Sequence, residues 1–428
     1  MADFSQLDLC AELQSTLQQL DYKHTTEIQA KAIPVILQGR DILAQAQTGT
    51  GKTAAFALPI IEKLQAFAPD DNYHPIRALI LTPTRELAIQ VAEKTLSYGE
   101  QLGMRVISVY GGVRFENQIR KMKRGADILV ATPGRLLEML IQNKFNLQQL
   151  EILVFDEADR MLDLGFIHDI NRIMSFAPKK RQTLLFSATY NDKIEQWAAQ
   201  VLNAPQKISA APANSAAKKV QQIAYKVDNA NKDEVLHYLI SSGKWRQTLV
   251  FTRTKRRAEK VAQVLIEQGI NATSIHGDKL QKERIAALTA FTEQQVDVLV
   301  ATDVAARGLD IEALPRVVNY DLPNQPEAYV HRIGRTARAG KSGQAISFVA
   351  PDERQYLMEI EQLMGKQVQF QSIPLLQNGK LSSEKTAGIK RANSKVRKTA
   401  KARYVAPEIE KSNKPALRPS LLSKSKKK

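Results

Sequence analysis

The octapeptide Ala46-Gln47-Thr48-Gly49-Thr50-Gly51-Lys52-Thr53 constrains this chain more than any other stretch. The apolar run Ile42-Leu43-Ala44 precedes it and Ala54-Ala55-Phe56-Ala57-Leu58 follows, so it reads as the turn from a buried strand into a helix. In that setting the backbone N–H groups around Gly49 and Gly51 turn toward phosphate oxygens, Lys52 reaches the β- and γ-phosphates, and the Thr53 hydroxyl sits on Mg²⁺. Ala46 stands where the general pattern has its first glycine. The same letters alone also describe an ordinary glycine-rich turn. A phosphate-binding loop needs partners elsewhere in the chain, which an ordinary turn does not.

A chain of 428 residues is too long for one ordinary core and long enough for two domains of about 150 to 200 residues. Neither a basic and apolar leader at Met1-Ala2-Asp3-Phe4 nor a run of ~20 apolar residues is visible, which predicts a soluble, cytoplasmic protein with no membrane partner. The single cysteine, Cys10, excludes an internal disulfide framework and fits a reducing compartment. No Cys/His metal site is legible.

Charge divides the chain unevenly. Residues 371–428 hold 16 Lys or Arg against three acids, so +13 of the net +17 lies there. The segment lacks apolar periodicity and ends Lys424-Ser425-Lys426-Lys427-Lys428, which predicts a disordered basic tail, either an arm for nucleic acid or a solubilising appendage. A second shift in composition, small and polar over residues 209–219, reads as a flexible linker. Apolar strand patterns alternate with helical ones on both sides of it, which predicts two α/β domains with parallel sheets, over 1–208 and 220–370.

In the first domain, Tyr22 and Gln29 precede the loop. The Gln29 amide can accept from the N6 amine and donate to N7 of adenine, and it would refuse guanine. An adenine-reading segment is therefore expected over residues 2–30. Three further strand ends carry Pro83-Thr84-Arg85, Gly111-Gly112 and Thr132-Pro133-Gly134-Arg135. Each alone is a turn; repeated along one sheet edge, their hydroxyls, arginines and backbone N–H groups suit a sugar-phosphate backbone and not base edges. After the strand Ile152 to Phe155 comes Asp156-Glu157-Ala158-Asp159. Asp156 can hold Mg²⁺ and Glu157 can orient and deprotonate an attacking water, while an acidic helix start is the plainer alternative. The hydroxyls of Ser187 and Thr189 are expected to bond Asp159 and report nucleotide state to the second domain.

In the second domain, Thr302-Asp303 and the segment from His331 to Arg338 concentrate polar groups. Arg335 and Arg338 are three apart, as on one helical turn, and are expected to enter the facing site and neutralise charge on the transferring phosphoryl. Gln281 and Arg284, also three apart, are expected to brace them or to touch RNA. A solvated basic helix is the plainer reading of both pairs.

Taken together, Phe4 to about Gln369 resembles the DEAD-box ATP-dependent RNA helicases, whose name Asp156-Glu157-Ala158-Asp159 spells and whose later motifs the Ser187, Thr302 and His331 segments match. The resemblance implies two RecA-like domains, and Phe4 and Tyr22 near an adenine read by Gln29. It also implies ATP and Mg²⁺ as cofactors, RNA held by the Arg85, Gly111, Thr132, Arg135 and Thr302 regions, and Asp310, beside Gly308, at the ribose. Thr25 and Glu27 stand where the family usually has prolines. The short core and basic tail look most like the bacterial RhlE-type subgroup. The expected activity is RNA-stimulated ATP hydrolysis coupled to domain closure and local duplex unwinding, with ribosome precursors or RNA-decay proteins as candidate partners. An ATP-gated RNA clamp is the alternative. A DNA-translocating helicase is disfavoured because Gln29 and Asp159 match the RNA-directed group.

Overall fold

The computed structural model describes residues 3–46, 49–65, 73–210, 220–306, 314–336, 343–372, 376–377 and 380–381. The first domain is built on strands β1 (Ile42–Gln45), β2 (Ala78–Leu81), β3 (Val106–Val109), β4 (Ile128–Ala131), β5 (Ile152–Phe155), β6 (Gln182–Ser187) and β7 (Gln206–Ser209). They form one sheet in the order β3-β4-β2-β5-β6-β1-β7, with every neighbour parallel. Runs such as Ala78-Leu79-Ile80-Leu81 are buried along their whole length because helices cover both faces of the sheet.

The second domain repeats the plan. Its strands are β8 (Gln221–Lys226), β9 (Thr248–Thr252), β10 (Ala272–Ile275), β11 (Val298–Thr302), β12 (Arg316–Asn319), β13 (Gln344–Val349) and β14 (Gln369–Phe370). Their order, β10-β11-β9-β12-β13-β8-β14, is the first sheet's permutation shifted by seven. Two RecA-like α/β domains in tandem are thus present. In such open parallel sheets the loops at the carboxyl ends of the strands carry the ligands. From the phosphate loop onward the motifs singled out in the first domain lie on or just after such an end, while Gln29 comes from the helix Glu27–Leu37 that precedes β1.

Three boundaries differ from expectation. Ser209 closes β7 and the buried Ala210 donates its N–H to the Gln45 carbonyl, so the sheet reaches into the first two residues of the expected linker. Residues 211–219 lie outside the described residues. The expected tail from 371 contains two short strands, β15 (Leu376–Gln377) and β16 (Lys380–Leu381), paired antiparallel. Its first residue, Gln371, donates its N–H to the Ala224 carbonyl beside β14, and residues 373–375, 378–379 and 382–428 lie outside the described residues. Finally, the helix Pro326–Ile333 stops at Gly334, and Thr336 pairs with Leu314 in an isolated bridge. Arg335 therefore sits in a turn, and the helical spacing argument that joined it to Arg338 does not hold.

Candidate active site at the domain interface

The phosphate loop leaves β1 and enters the helix Lys52–Gln65 at Lys52. Gly49 and Gly51 have positive φ, +78° and +89°. Gly51 admits no side chain, because a Cβ there would come within 2.3 Å of the Gln29 amide nitrogen. That amide is already oriented: its oxygen accepts from Thr26 N–H at 2.8 Å, and its nitrogen donates to the Gly51 carbonyl at 3.1 Å. One lone pair and one N–H remain, the pattern that adenine N6 and N7 require. The helix Glu27–Leu37 starts with this capping box and with Glu27 paired to Lys31 at 2.7 Å, so its first turn is fixed without the family's prolines.

Tyr22 lines the same cleft, whereas Phe4 is buried behind it, edge to face at 5.9 Å. Phe4 thus supports the ring expected to meet the base. Tyr98, which the sequence reading missed, meets Tyr22 hydroxyl to hydroxyl at 2.8 Å, and Lys94 lies over both rings. Nothing local flags either residue, since they come from a helix that begins at a different motif.

The cleft is about 910 Å³ and is lined by Gln29, Gly49, Gly51, Lys52, Thr53, Asp156 and Glu157 from the first domain and by Arg335 from the second. Arg335 is 3% exposed. Gln47, Thr48, Gly308, Asp310 and Arg338 lie outside the described residues, while Ala46 is buried and Thr50 half-buried at the loop.

Two adjacent carboxyls are driven apart electrostatically. Burial pushes Asp156 up to about 6, against the pull of Lys52. Burial also acts to raise Glu157, but Arg160, then Lys52 and Arg335, outweigh it and hold Glu157 down to about 2. Arg160, a further residue the sequence reading missed, donates to Glu157 Oε2 at 2.8 Å. Glu157 itself sits in the left-handed region at φ +54°, a conformation that costs about 1–3 kcal/mol and persists where surrounding structure enforces it. Lys52 Nζ and Asp156 Oδ1 face each other at 3.9 Å, and both are buried without a hydrogen bond. A cation held by one carboxylate and by phosphate oxygens, with Thr53 at the start of the helix, fits this orphaned pair.

Asp159 points the other way. Its Oδ2 accepts from Ala188 N, Thr189 N and Thr189 Oγ1 at 3.1, 2.9 and 2.9 Å. Ser187 does not join it; its hydroxyl donates to the Thr189 carbonyl at 2.7 Å. His331 of the second domain lines a separate cavity together with Asp159 and Thr189.

Along the sheet edge, Arg85 packs on Gly111 and Gly112, and a Cβ at Gly112, where φ is +79°, would fall 2.0 Å from its guanidinium. Arg135 donates to the Val113 carbonyl at 3.2 Å and lies over Phe115. Pro83, Thr84, Thr132 and Thr302 are buried at strand ends, Thr84 capping its helix by accepting from Leu87 N, while Gly134 is exposed. Gln281 and Arg284 face the first domain. Both are buried and meet Glu86 of the first domain at 2.8 Å each, forming an interdomain clasp. Their spacing puts them on one helix face, and that face abuts the helix Arg85–Gly99.

Residues 26–197 match the DEAD/DEAH box helicase family model, and residues 231–340 match the helicase conserved C-terminal domain. A DEAD-box ATP-dependent RNA helicase of Geobacillus kaustophilus, CshA, is 42% identical over 376 residues, which span 88% of this chain and 79% of the relative. The chain belongs to the DEAD-box ATP-dependent RNA helicase family.

The DEAD-box helicase RhpA of Helicobacter pylori is 40% identical over 88% of this chain and 76% of its own length. Among solved structures, S. cerevisiae Dbp5 bound to RNA and ADP BeF3 superposes with a TM-score of 0.79 at 31% identity, covering 92% of this chain and all of that one. A single-substitution variant of Dbp5 bound to Nup159, a single-substitution variant of Gle1, IP6 and ADP gives 0.60 at 30% identity over 91% of this chain. The mutual placement of the two domains is thus nearer to that of the RNA-bound DEAD-box structure. No helix among the described residues is long and apolar enough to cross a membrane.

Proposed function

We propose that this DEAD-box protein is an RNA-dependent ATPase whose two domains close on ATP and single-stranded RNA, bending the strand so that a short duplex comes apart. The observation that carries the reading is the meeting of Arg335 from one domain with Lys52 and Glu157 from the other in a single cleft. A hydrolytic site completed only by closure ties chemistry to the RNA path that crosses both domains.

Gln29 selects adenine on the face supported by Tyr22. Asp156 and Thr53 would hold Mg²⁺, which would supply positive charge against the phosphates of ATP. Lys52 draws the phosphates into the loop. Glu157, ionised and fixed by Arg160, orients the attacking water; its low proton affinity suits a loose transition state, which asks little deprotonation of the nucleophile beforehand. Arg335 balances the charge that shifts toward the leaving oxygen. Thr189 and Asp159 relay the state of Glu157 to His331 across the interface. Arg85, Gly111, Gly112, Thr132, Arg135 and Thr302 hold the RNA backbone, Asp310 holds the ribose, and the basic tail adds an unspecific electrostatic arm.

The relatives named above carry CshA and RhpA designations, and an RhlE-type assignment is not part of this reading. Ribosome assembly and RNA turnover in the cytoplasm are the settings that such an activity suits. A second reading, an ATP-gated RNA clamp with slow turnover, draws on the Glu86 clasp, which favours the closed state. ATP hydrolysis rates with RNA, with DNA and without nucleic acid separate the two: stimulation by RNA alone supports the ATPase, and slow hydrolysis with long-lived RNA binding supports the clamp.

A further inference from the structure

Glu157 lines two cavities. One is the nucleotide cleft; the other, about 400 Å³, lies between Asp159 and Thr189 of the first domain and the helix Pro326–Ile333 of the second. We propose that this second cavity is the exit for inorganic phosphate after hydrolysis, an inference that rests on the ATPase reading above.

In-line displacement brings water to the phosphoryl face opposite the leaving ADP. Glu157 is the residue assigned to that water, so the free face of the new phosphate looks toward Glu157. Its other sides are covered by ADP, Lys52 and Arg335. A phosphate formed there cannot retreat through the nucleotide mouth while ADP occupies it. At about 400 Å³ the cavity beyond Glu157 has room for a phosphate ion of five heavy atoms, since one water needs about 15 Å³ of such space.

The lining also fits passage and not retention. Arg160 lies at the inner end against Glu157, and His331 is half-buried in the wall. The acids Asp163, Asp192 and Glu327 are exposed, with Lys193 the exposed cation beside them. A departing anion passes the Arg160 guanidinium beside the Glu157 and Asp159 carboxylates and meets further like charge at the surface, so nothing along the way retains it. Because opposite walls belong to different domains, reopening widens the exit, and release of phosphate removes the charge that holds Arg335 in place. Product release and domain opening thus become one event.

The test uses the full chain at saturating RNA. Rapid quenching measures bond cleavage and a fluorescent phosphate sensor measures release. Glu327→Trp and Lys193→Trp place bulk at the mouth from opposite walls, at exposed positions outside the catalytic machinery. Each is expected to slow release about tenfold, with cleavage and ATP affinity unchanged, so that bound ADP and phosphate accumulate. Release at the parental rate in both variants overturns the proposal, as does an equal slowing of cleavage and release. A parent that cleaves no ATP would instead remove the ATPase reading itself, a result distinct from either.

Discussion

Glu86 Oε2 of the first domain lies 2.8 Å from Arg284 Nη2 of the second, with both side chains buried and Gln281 donating to the other carboxylate oxygen. Breaking a buried pair by removing one partner costs about 3–5 kcal/mol, because the remaining charge stays desolvated. Here that penalty applies only to the closed state, since separated domains return both groups to water. Glu86→Ala should therefore weaken closure at least tenfold and leave the melting of each domain unchanged. Energy transfer between dyes on the two domains, with RNA and an ATP analogue, checks it; unaltered closure would show that the clasp is incidental.

Glu157→Gln should lower ATP turnover by about 10² to 10⁴ while ATP and RNA still bind, because an amide holds the water but cannot finally take its proton. The substitution also removes the charge that Arg160 meets. Turnover within threefold of the parent would exclude Glu157 from the chemistry.

Arg335→Ala should cut the hydrolysis rate by about 10³ to 10⁵ and ATP affinity far less, since its charge matters most where charge shifts in the transition state. Steady-state kinetics separate the two effects. A weaker affinity with an unchanged maximal rate would reduce Arg335 to a binding residue.

Deleting residues 371–428 removes +13 of charge without touching any proposed catalytic group. ATP hydrolysis at saturating RNA should be nearly unchanged. If about six tail cations neutralise phosphates, the slope of log affinity against log salt should become shallower by ~4, at roughly 0.7 per contact on single strands. RNA binding measured at several salt concentrations decides it, and identical slopes would assign the tail to another partner or to solubility.

The sequence by itself determined the fold class and the nucleotide site of the first domain. Both depend on short-range patterns: apolar strands a few residues long, glycines where φ must be positive, and side chains held at strand ends. Gly49, Gly51, Lys52, Asp156 and Glu157 meet in one cleft because each closes or follows a strand of the same parallel sheet, so spacing along the chain suffices to read them together. Gln29 was legible from its side-chain amide and from the phosphate loop that follows it, and the capping box that orients the amide came from the structure.

Only the tertiary structure decided which residues answer one another across distance. Glu86 with Arg284, Tyr22 with Tyr98, and Arg335 with Glu157 are separated by 198, 76 and 178 positions, and no local pattern encodes such pairings. The helical argument for Arg335 failed because Gly334 ends the helix one residue earlier, a matter of how the turn meets Leu314. Ser187 was assigned to Asp159 on chemistry alone, but the backbone N–H groups of Ala188 and Thr189 were nearer, and the Ser187 hydroxyl turned to the Thr189 carbonyl. Chemistry names the donors and acceptors available; packing fixes which of them lie within hydrogen-bond reach.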